Sequence, residues 1–219
     1  RAYSPLRTVA GGQLVSPLPP ELRAKDPELT DKLHLLQSLP ELRDAAEALG
    51  GGKAEAKARE EARAKLVYGA LTLRGAEGAD EARLRALTGM ARAAVESALQ
   101  LLSTRGEALC WDKEGRAWIA KLPFEKLLAG CLERGAELHR REPLKPGFTR
   151  GALCTGWSRN LPPKLVQKVL DQGIKQGQLV TEGEGLRLQS HTVSLAADQA
   201  GLRQKLLDAH ATAGLTPPN

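Results

Sequence analysis

The chain has 219 residues, only 3% of them aromatic, and carries a formal net charge of +6. The low aromatic content argues against a sandwich or barrel, since such folds depend on aromatic and β-branched residues. The hydrophobic share of 42% argues against wholesale disorder. The sequence also has no run of about 18 apolar residues, so it predicts no transmembrane helix and no membrane partner.

The first sixty residues differ in character from the rest. Residues 7–15 indicate a strand interrupted by a glycine bend at Gly11-Gly12 and ended by Pro17. The bend is not a phosphate loop, because it lacks the GK[ST] ending and no helix pattern follows directly. The chain begins without a methionine, and we expect it to be part of a longer protein.

A helical region is predicted between the strand and residue 60. Helically spaced leucines indicate a helix that Pro40 stops: Leu33, Leu35, Leu36 and Leu39. The runs 41–49 and 53–65 are charged, rich in alanine and typical of helices, and three glycines separate them.

From about residue 61 the sequence repeats with a period near 70 residues. Three segments follow a predicted long helix and consist of a glycine, one small or apolar residue and a helix N-cap. They lie at 78–80, 147–149 and 214–216, with offsets of 69 and 67. Asp80 and Thr149 are the expected N-caps, because their side-chain oxygens can accept from amides of the first helical turn.

Each repeat continues with a short helix, an amphipathic helix and a hairpin. Gly106 and Gly177 stand where a helix needs a left-handed exit, and they share an offset of 71. The segments 108–119 and 178–188 read as hairpins with a glycine in the turn. Helices closed by a two-stranded ribbon form a winged helix, so the predicted fold class is mainly α with small β-wings.

The predicted organisation follows from these repeats. Tandem winged helices span 61–120 and 124–190, preceded by a strand-bearing segment 1–20 and a helical linker 21–60. A third unit begins at 197 and is represented only by 197–219, so we expect the native chain to continue. Its one helix carries apolar residues with helical spacing: Leu202, Leu206, Leu207 and Ala211.

Residue types that carry catalysis or bind metals are scattered. The cysteines are 21 and 23 residues apart, without a CxxC pair, and indicate reduced cytoplasmic thiols: Cys110, Cys131 and Cys154. The histidines lie at no metal-like spacing: His34, His139, His191 and His210. We therefore predict no catalytic residue, no metal site and no cofactor in this chain.

The excess positive charge is localised. Residues 121–190 carry twelve basic and seven acidic side chains, a net charge of +5. Lys164, Lys168 and Lys175 fall on one side of a predicted helix whose other side is apolar. They are the candidate RNA or phosphate contacts, with Arg159 and Arg187. An ordinary solvated lysine face is the alternative, and the acidic tip of the second hairpin argues for it.

Two tryptophans, Trp111 and Trp118, lie on opposing strands of the first hairpin. Aromatic side chains in a tight ribbon usually form its own core, and that is our interpretation. The alternative is a platform on which bases stack.

Two segments resemble a known family. Residues 7–12, RTVAGG, with Pro17 after them, resemble the closing strand of the Tu-like β-barrel in the bacterial SelB family of selenocysteine-specific elongation factors, where Ala10 replaces a usual glycine. Residues 143–153, PLKPGFTRGAL, resemble the start of that family's second winged helix, and 187–195 fit its end.

The resemblance implies a role in selenocysteine incorporation in the cytoplasm. Residues 1–20 would end the third β-barrel domain, and the GTPase body that binds selenocysteinyl-tRNA, with its GTP and magnesium, would precede this chain. Winged helices beyond it would bind an mRNA hairpin at the ribosome. This chain would then be the non-catalytic spacer between the two.

Two other functions remain open at this point. One is a tandem winged-helix regulator that binds DNA, and the other is an adaptor that binds only proteins. A DNA reader needs arginine, asparagine or glutamine aimed at base edges, whereas the lysines here suit phosphates. That favours positioning on RNA over sequence reading.

Overall fold

The computed structural model describes residues 24–48, 52–183, 185–191 and 197–213, together with Ser16 and Leu22. The predicted strand at 7–15 and its glycine bend therefore lie outside the described residues.

Within these ranges the chain is mainly helical with two small antiparallel sheets, which confirms the predicted fold class. A single turn of 3₁₀ helix at Gly75–Glu77 joins the second helix to the first strand. The helices and strands in chain order are α1 (Leu29–Glu47), α2 (Lys53–Arg74), β1 (Ala79–Asp80), α3 (Glu81–Thr88), α4 (Arg92–Thr104), β2 (Ala108–Asp112), β3 (Ala117–Ala120), α5 (Lys121–Arg141), α6 (Arg150–Cys154), α7 (Pro163–Lys175), β4 (Leu179–Glu182), β5 (Gly185–Leu188) and α8 (Ala197–Ala213).

The described residues group into two compact bodies. The N-terminal body holds those up to Lys126 together with 161–165, and the C-terminal body holds 127–160 and those from 166 onward. The first winged helix lies in the N-terminal body. The second lies in the C-terminal body, apart from residues 124–126 of α5 and residues 161–165, which include the start of α7.

The prediction that Pro40 stops the first helix is wrong, because α1 continues through it to Glu47. Leu39 and Ala46, seven residues apart and on either side of the proline, are both buried in the core that α1 shares with α2. A proline inside a helix costs about 3 kcal/mol. Burying one leucine side chain contributes about 1.5–3 kcal/mol, so packing along both halves of α1 offsets that cost.

The predicted helical run 53–65 and the first helix of the first winged helix form one continuous helix, α2. Gly69 lets α1 approach closely, because a Cβ there would lie 3.2 Å from Leu35 Cδ1. The carbonyl end of α1 is bound by two arginines of α2: Arg63 Nε donates to Ala46 O at 3.1 Å and Arg59 Nη1 donates to Ala48 O at 3.3 Å. The linker helix α1 is thus part of the N-terminal body's core.

The first winged helix has a three-stranded sheet in the order β1-β3-β2. Ala79 pairs with Trp118 and Asp80 with Ala117, while β2 and β3 form the predicted hairpin. Asp80 also caps α3, since its Oδ1 accepts from Arg83 N at 2.7 Å.

The second winged helix repeats this arrangement with less regular backbone. β4 and β5 form the predicted hairpin, and Phe148 takes the place of β1. Phe148 N donates to Leu186 O at 2.9 Å, and Leu186 N donates to Phe148 O at 2.8 Å. Thr149 caps α6 by accepting from Ala152 N at 3.3 Å. The glycine motif of the repeat therefore brings a third backbone segment against each wing, a short strand in the first and a single bridge residue in the second.

The exits from α4 and α7 have the same geometry. Gly106 and Gly177 both adopt φ of +69°. The next amide in each case donates five residues back, from Glu107 to Leu102 O at 2.8 Å and from Gln178 to Gly173 O at 2.9 Å. This is the Schellman arrangement, which satisfies carbonyls at a helix end. It confirms the predicted glycine exits.

The two hairpins are closed at their base by equivalent bonds. Lys121 N donates to Glu107 O at 2.8 Å in the first, and Gln189 N donates to Gln178 O at 3.0 Å in the second. The first hairpin also contains a register shift between Cys110 and Asp112.

The helix predicted at the start of a third unit is present as α8. Its side chains Leu206 and Leu207 are 54% and 50% exposed. Whether α8 begins a third winged helix stays a prediction.

Candidate nucleic-acid interface

Helix α7 presents the predicted division between an apolar and a basic side. Leu165, Val169 and Leu170 are buried, at most 2% exposed. Lys164 and Lys168 are exposed one turn apart, and Lys175 is exposed two turns further along. The amphipathic pattern of this helix is thereby confirmed.

Lys164 is already paired within the N-terminal body. Its Nζ lies 2.9 Å from Asp112 Oδ1 and 3.0 Å from Glu114 Oε2, both at the tip of the first wing. The hydrogen bond from Lys164 holds the pKa of Asp112 below its usual range, helped by the Gly115 amide. The same carboxylates raise the pKa of Lys164. A phosphate would have to compete with both of them for this ammonium.

The other predicted contacts differ in what binds them. Lys168, Lys175 and Arg159 are exposed and make no ion pair within the described ranges. Arg187 is only partly exposed: Nε lies 3.2 Å from Glu182 Oε2, and Nη1 donates to the carbonyls of Leu188 and His191. Lys168 and Lys175 are therefore the more available cations on α7, whereas Arg187 supports the end of its own hairpin.

A glutamine on the lysine side of α7 was not predicted as part of the site. Arg150 Nη1 donates to Gln167 Oε1 at 3.2 Å, and Gln167 Nε2 donates to Asp171 Oδ1 at 2.7 Å. These bonds fix the amide next to Lys168 and put one carboxylate on the basic face. The spacing of four between Gln167 and Asp171 was the available sequence signal.

In the first winged helix two arginines, Arg92 and Arg116, belong to a network of four charges. Arg92 Nε lies 3.0 Å from a carboxylate oxygen of Glu81 and 3.0 Å from one of Glu96. Arg116 Nη1 lies 2.7 Å from Glu81 and 2.9 Å from Glu96. Hydrogen bonding from Arg92 lowers the pKa of Glu96, and Glu81 raises the pKa of Arg116. These two cations are compensated, whereas Lys168 and Lys175 on α7 make no ion pair within the described residues.

A buried histidine joins α5 to the second hairpin. His139 is 6% exposed and stacks on His191, with ring centroids 3.6 Å apart. The Leu188 amide donates to His139 Nε2 at 3.3 Å. Burial lowers the pKa of His139, and the nearby His191 and Arg187 lower it further. Sequence spacing gave no signal of this pair, because the two residues lie 52 positions apart.

We expect acid to weaken the contact between His139 and the second hairpin. The folded state keeps His139 neutral, while an unfolded histidine takes up a proton as the pH falls below about 6.5. The stabilisation is therefore present above that pH and lost as the pH falls toward the depressed folded value. Hydrogen exchange at the Leu188 amide, corrected for its intrinsic rate, should become less protected from pH 8 to pH 5.

Replacing His139 with Gln should remove most of this pH dependence. His34→Gln is the matched control, because His34 is exposed in the N-terminal body and should leave it unchanged. Protection at Leu188 that stays constant down to pH 5 in the unaltered chain would contradict the expectation.

The other titratable groups give no metal site in the described part of the chain. It holds no group of three or more histidine, cysteine or acidic side chains that could bind a metal ion. The three cysteines form no disulfide among the described residues, and burial raises the pKa of Cys131 to about 12. Across the same ranges no helix is both long and apolar enough to cross a membrane.

Fold and sites together define a tandem winged-helix protein. Residues 136–188 match the family model described as "Elongation factor SelB, winged helix". The chain is also 33% identical over 218 residues to the selenocysteine-specific elongation factor of Desulfomicrobium baculatum. That alignment covers 100% of this chain and 31% of the relative's length. The resemblance to the C-terminal region of the SelB family is thereby confirmed.

Proposed function

We propose that this chain is the spacer of a selenocysteine-specific elongation factor. It would link a body that binds GTP and tRNA to a tip that binds the mRNA hairpin, in the cytoplasm and on the ribosome. The main support is the 33% identity along the whole chain to a factor of that name. Two winged helices in series, preceded by the long helix α1, suit a connecting role.

RNA contact within the chain would be made by the basic side of α7. Lys168 and Lys175 would contribute most, because they are exposed and unpaired within the described residues. Lys164 would take part where RNA replaces the carboxylates of Asp112 and Glu114. Arg159 and Arg187 would flank this face. Lysines in such an array bind phosphates, so the contact would position RNA without reading its sequence.

Replacing Lys164, Lys168 and Lys175 together with Glu should abolish the binding of hairpin RNA to this face of α7. In the unaltered chain, binding should be weak and should fall steeply with added salt, because each neutralised phosphate releases counterions. Fluorescence anisotropy with a labelled RNA hairpin from 50 to 300 mM salt measures both effects.

Arg92→Gln is the matched control, since Arg92 is exposed on the corresponding helix of the first winged helix but compensated by Glu81 and Glu96. It should change affinity little. Equal loss from both replacements, or tight and salt-insensitive hairpin binding, would contradict the proposal. Preference for duplex DNA over RNA would favour the transcription regulator instead.

The chain alone should neither bind nor hydrolyse GTP. The proposal places the nucleotide, its magnesium and catalysis in the GTPase body that would precede this chain in the full-length factor, and this sequence has no GK[ST] phosphate loop. Calorimetric titration with GTP and magnesium tests this. Saturable binding would show that the chain is not the non-catalytic spacer.

A further inference from the structure

The first winged helix contains a groove that the functions above do not use. It lies between α4 and the hairpin β2–β3, entirely within the N-terminal body, and has a volume of about 560 Å³. Small-molecule sites commonly occupy about 300–1,000 Å³. Its apolar lining consists of Leu99, which is buried, and of Cys110 and Trp118, which are partly exposed.

The two tryptophans of this hairpin have different environments. The indole nitrogen of Trp111 is buried next to Gly78, which agrees with a place in the hairpin's own core. Trp118 packs on the core with one part of its surface and lines the groove with another. The platform alternative from the sequence therefore applies to Trp118 alone.

Polar side chains along the groove are available to a ligand. Gln100, Ser103 and Lys113 are exposed, and within the described residues their side chains make no hydrogen bond or ion pair. They offer an amide, a hydroxyl and an ammonium beside the indole.

The groove has little uncompensated negative charge. Its two carboxylates, Glu81 and Glu96, are each bound by both Arg92 and Arg116. Lys113 therefore leaves a positive charge beside an apolar, aromatic slot. A phosphate attached to a flat ring matches this combination of charge and surface.

We infer that this groove binds an unpaired base of single-stranded RNA. The base lies against Trp118, and the adjoining phosphate is at Lys113. Stacking on an aromatic side chain tolerates any base, because every base has a π-face. The Gln100 amide and the Ser103 hydroxyl can bind a base edge or a ribose 2′-hydroxyl, as RNA-binding proteins commonly do. The site contains none of the α7 lysines, and the nearest of them, Lys164, pairs with Asp112 and Glu114 on either side of Lys113.

The test uses the full chain and a labelled ten-nucleotide oligouridine. Binding should quench tryptophan emission, and Trp118→Leu should remove that quenching and weaken binding by about five-fold or more. Lys113→Gln should make the slope of log affinity against log salt shallower by about 0.7, the contribution of one phosphate contact on a single strand.

Two further variants keep the test decisive. Ser103→Phe fills the groove from an exposed helix position without altering the core, so it should weaken binding even if Trp118→Leu impairs folding. Trp157→Leu, at a partly buried tryptophan of the C-terminal body, is the matched control and should leave affinity unchanged.

Unchanged oligouridine affinity in folded Trp118→Leu and Ser103→Phe would overturn the inference. The inference would also be overturned if a peptide bound the unaltered chain and lost affinity in these two variants, while the affinity for oligouridine stayed the same. The α7 lysines are intact in every variant of this test. A loss of oligouridine affinity in these variants therefore concerns the groove, and a loss of hairpin affinity in the triple lysine variant concerns the basic side of α7.

Discussion

Replacing Gly78 with Ala should destabilise the N-terminal body by about 3 kcal/mol or more. A Cβ at this position would lie 2.2 Å from the carbonyl oxygen of Trp118, which is backbone and cannot turn away. Gly78 also adopts φ of +61° and ψ of −161°, a region that is essentially restricted to glycine and costs other residues about 1–3 kcal/mol. The steric overlap adds a similar amount. Urea unfolding followed by tryptophan emission measures the change.

Gly89→Ala separates the two causes. Gly89 has φ of +75° and ψ of 0°, and nothing lies within 4 Å of an added Cβ. This replacement should cost only about 1–2 kcal/mol, from the left-handed backbone alone. Equal losses at both positions would mean that β1 does not need this close approach to β3.

Gly185→Ala should destabilise the second winged helix by about 2 kcal/mol. The added Cβ would lie 2.7 Å from the backbone oxygen of Phe148, and overpacking of this kind costs about 1–3 kcal/mol. Phe148 and Leu186 exchange two backbone hydrogen bonds beside this glycine, so the change should also weaken that pairing. Thermal unfolding measures the change in stability, and hydrogen exchange at the Leu186 amide measures the weakening of its pairing with Phe148.

Gly151→Ala is the matched control in the same body. Gly151 lies in α6, and an added Cβ there would meet nothing within 4 Å. The substitution should stabilise the protein by up to about 1 kcal/mol, because alanine loses less backbone freedom than glycine. A stabilising Gly185→Ala would show that the wing can shift away from Phe148 without cost.

The features that the sequence predicted well depend on neighbouring residues. Asp80 and Thr149 cap helices whose amides lie three positions away, and Gly106 and Gly177 end helices through their own backbone angles. Such signals are local, so the repeat revealed the helices and hairpins of both winged helices. The continuation of α1 through Pro40 was missed because it depends on packing against α2.

The interactions of the candidate site that the sequence did not predict are between residues far apart in the chain. Lys164 meets Asp112 and Glu114 from about fifty positions away, and Arg116 meets Glu81 from 35 positions away. His139 accepts from Leu188 across 49 positions. Spacing could show which lysines share one side of α7, but not which carboxylates neutralise them.

The equivalent bonds at the base of the two hairpins give both ribbons the same closure at their chain ends. Lys121 N to Glu107 O and Gln189 N to Gln178 O hold the ends of each ribbon together just beyond a glycine exit of the same geometry. The segment 178–189 could therefore be grafted in place of 107–121 without rebuilding the helix end that receives it. Such a chimera would lack Asp112 and Glu114 and leave Lys164 unpaired, while α7 itself kept its natural sequence.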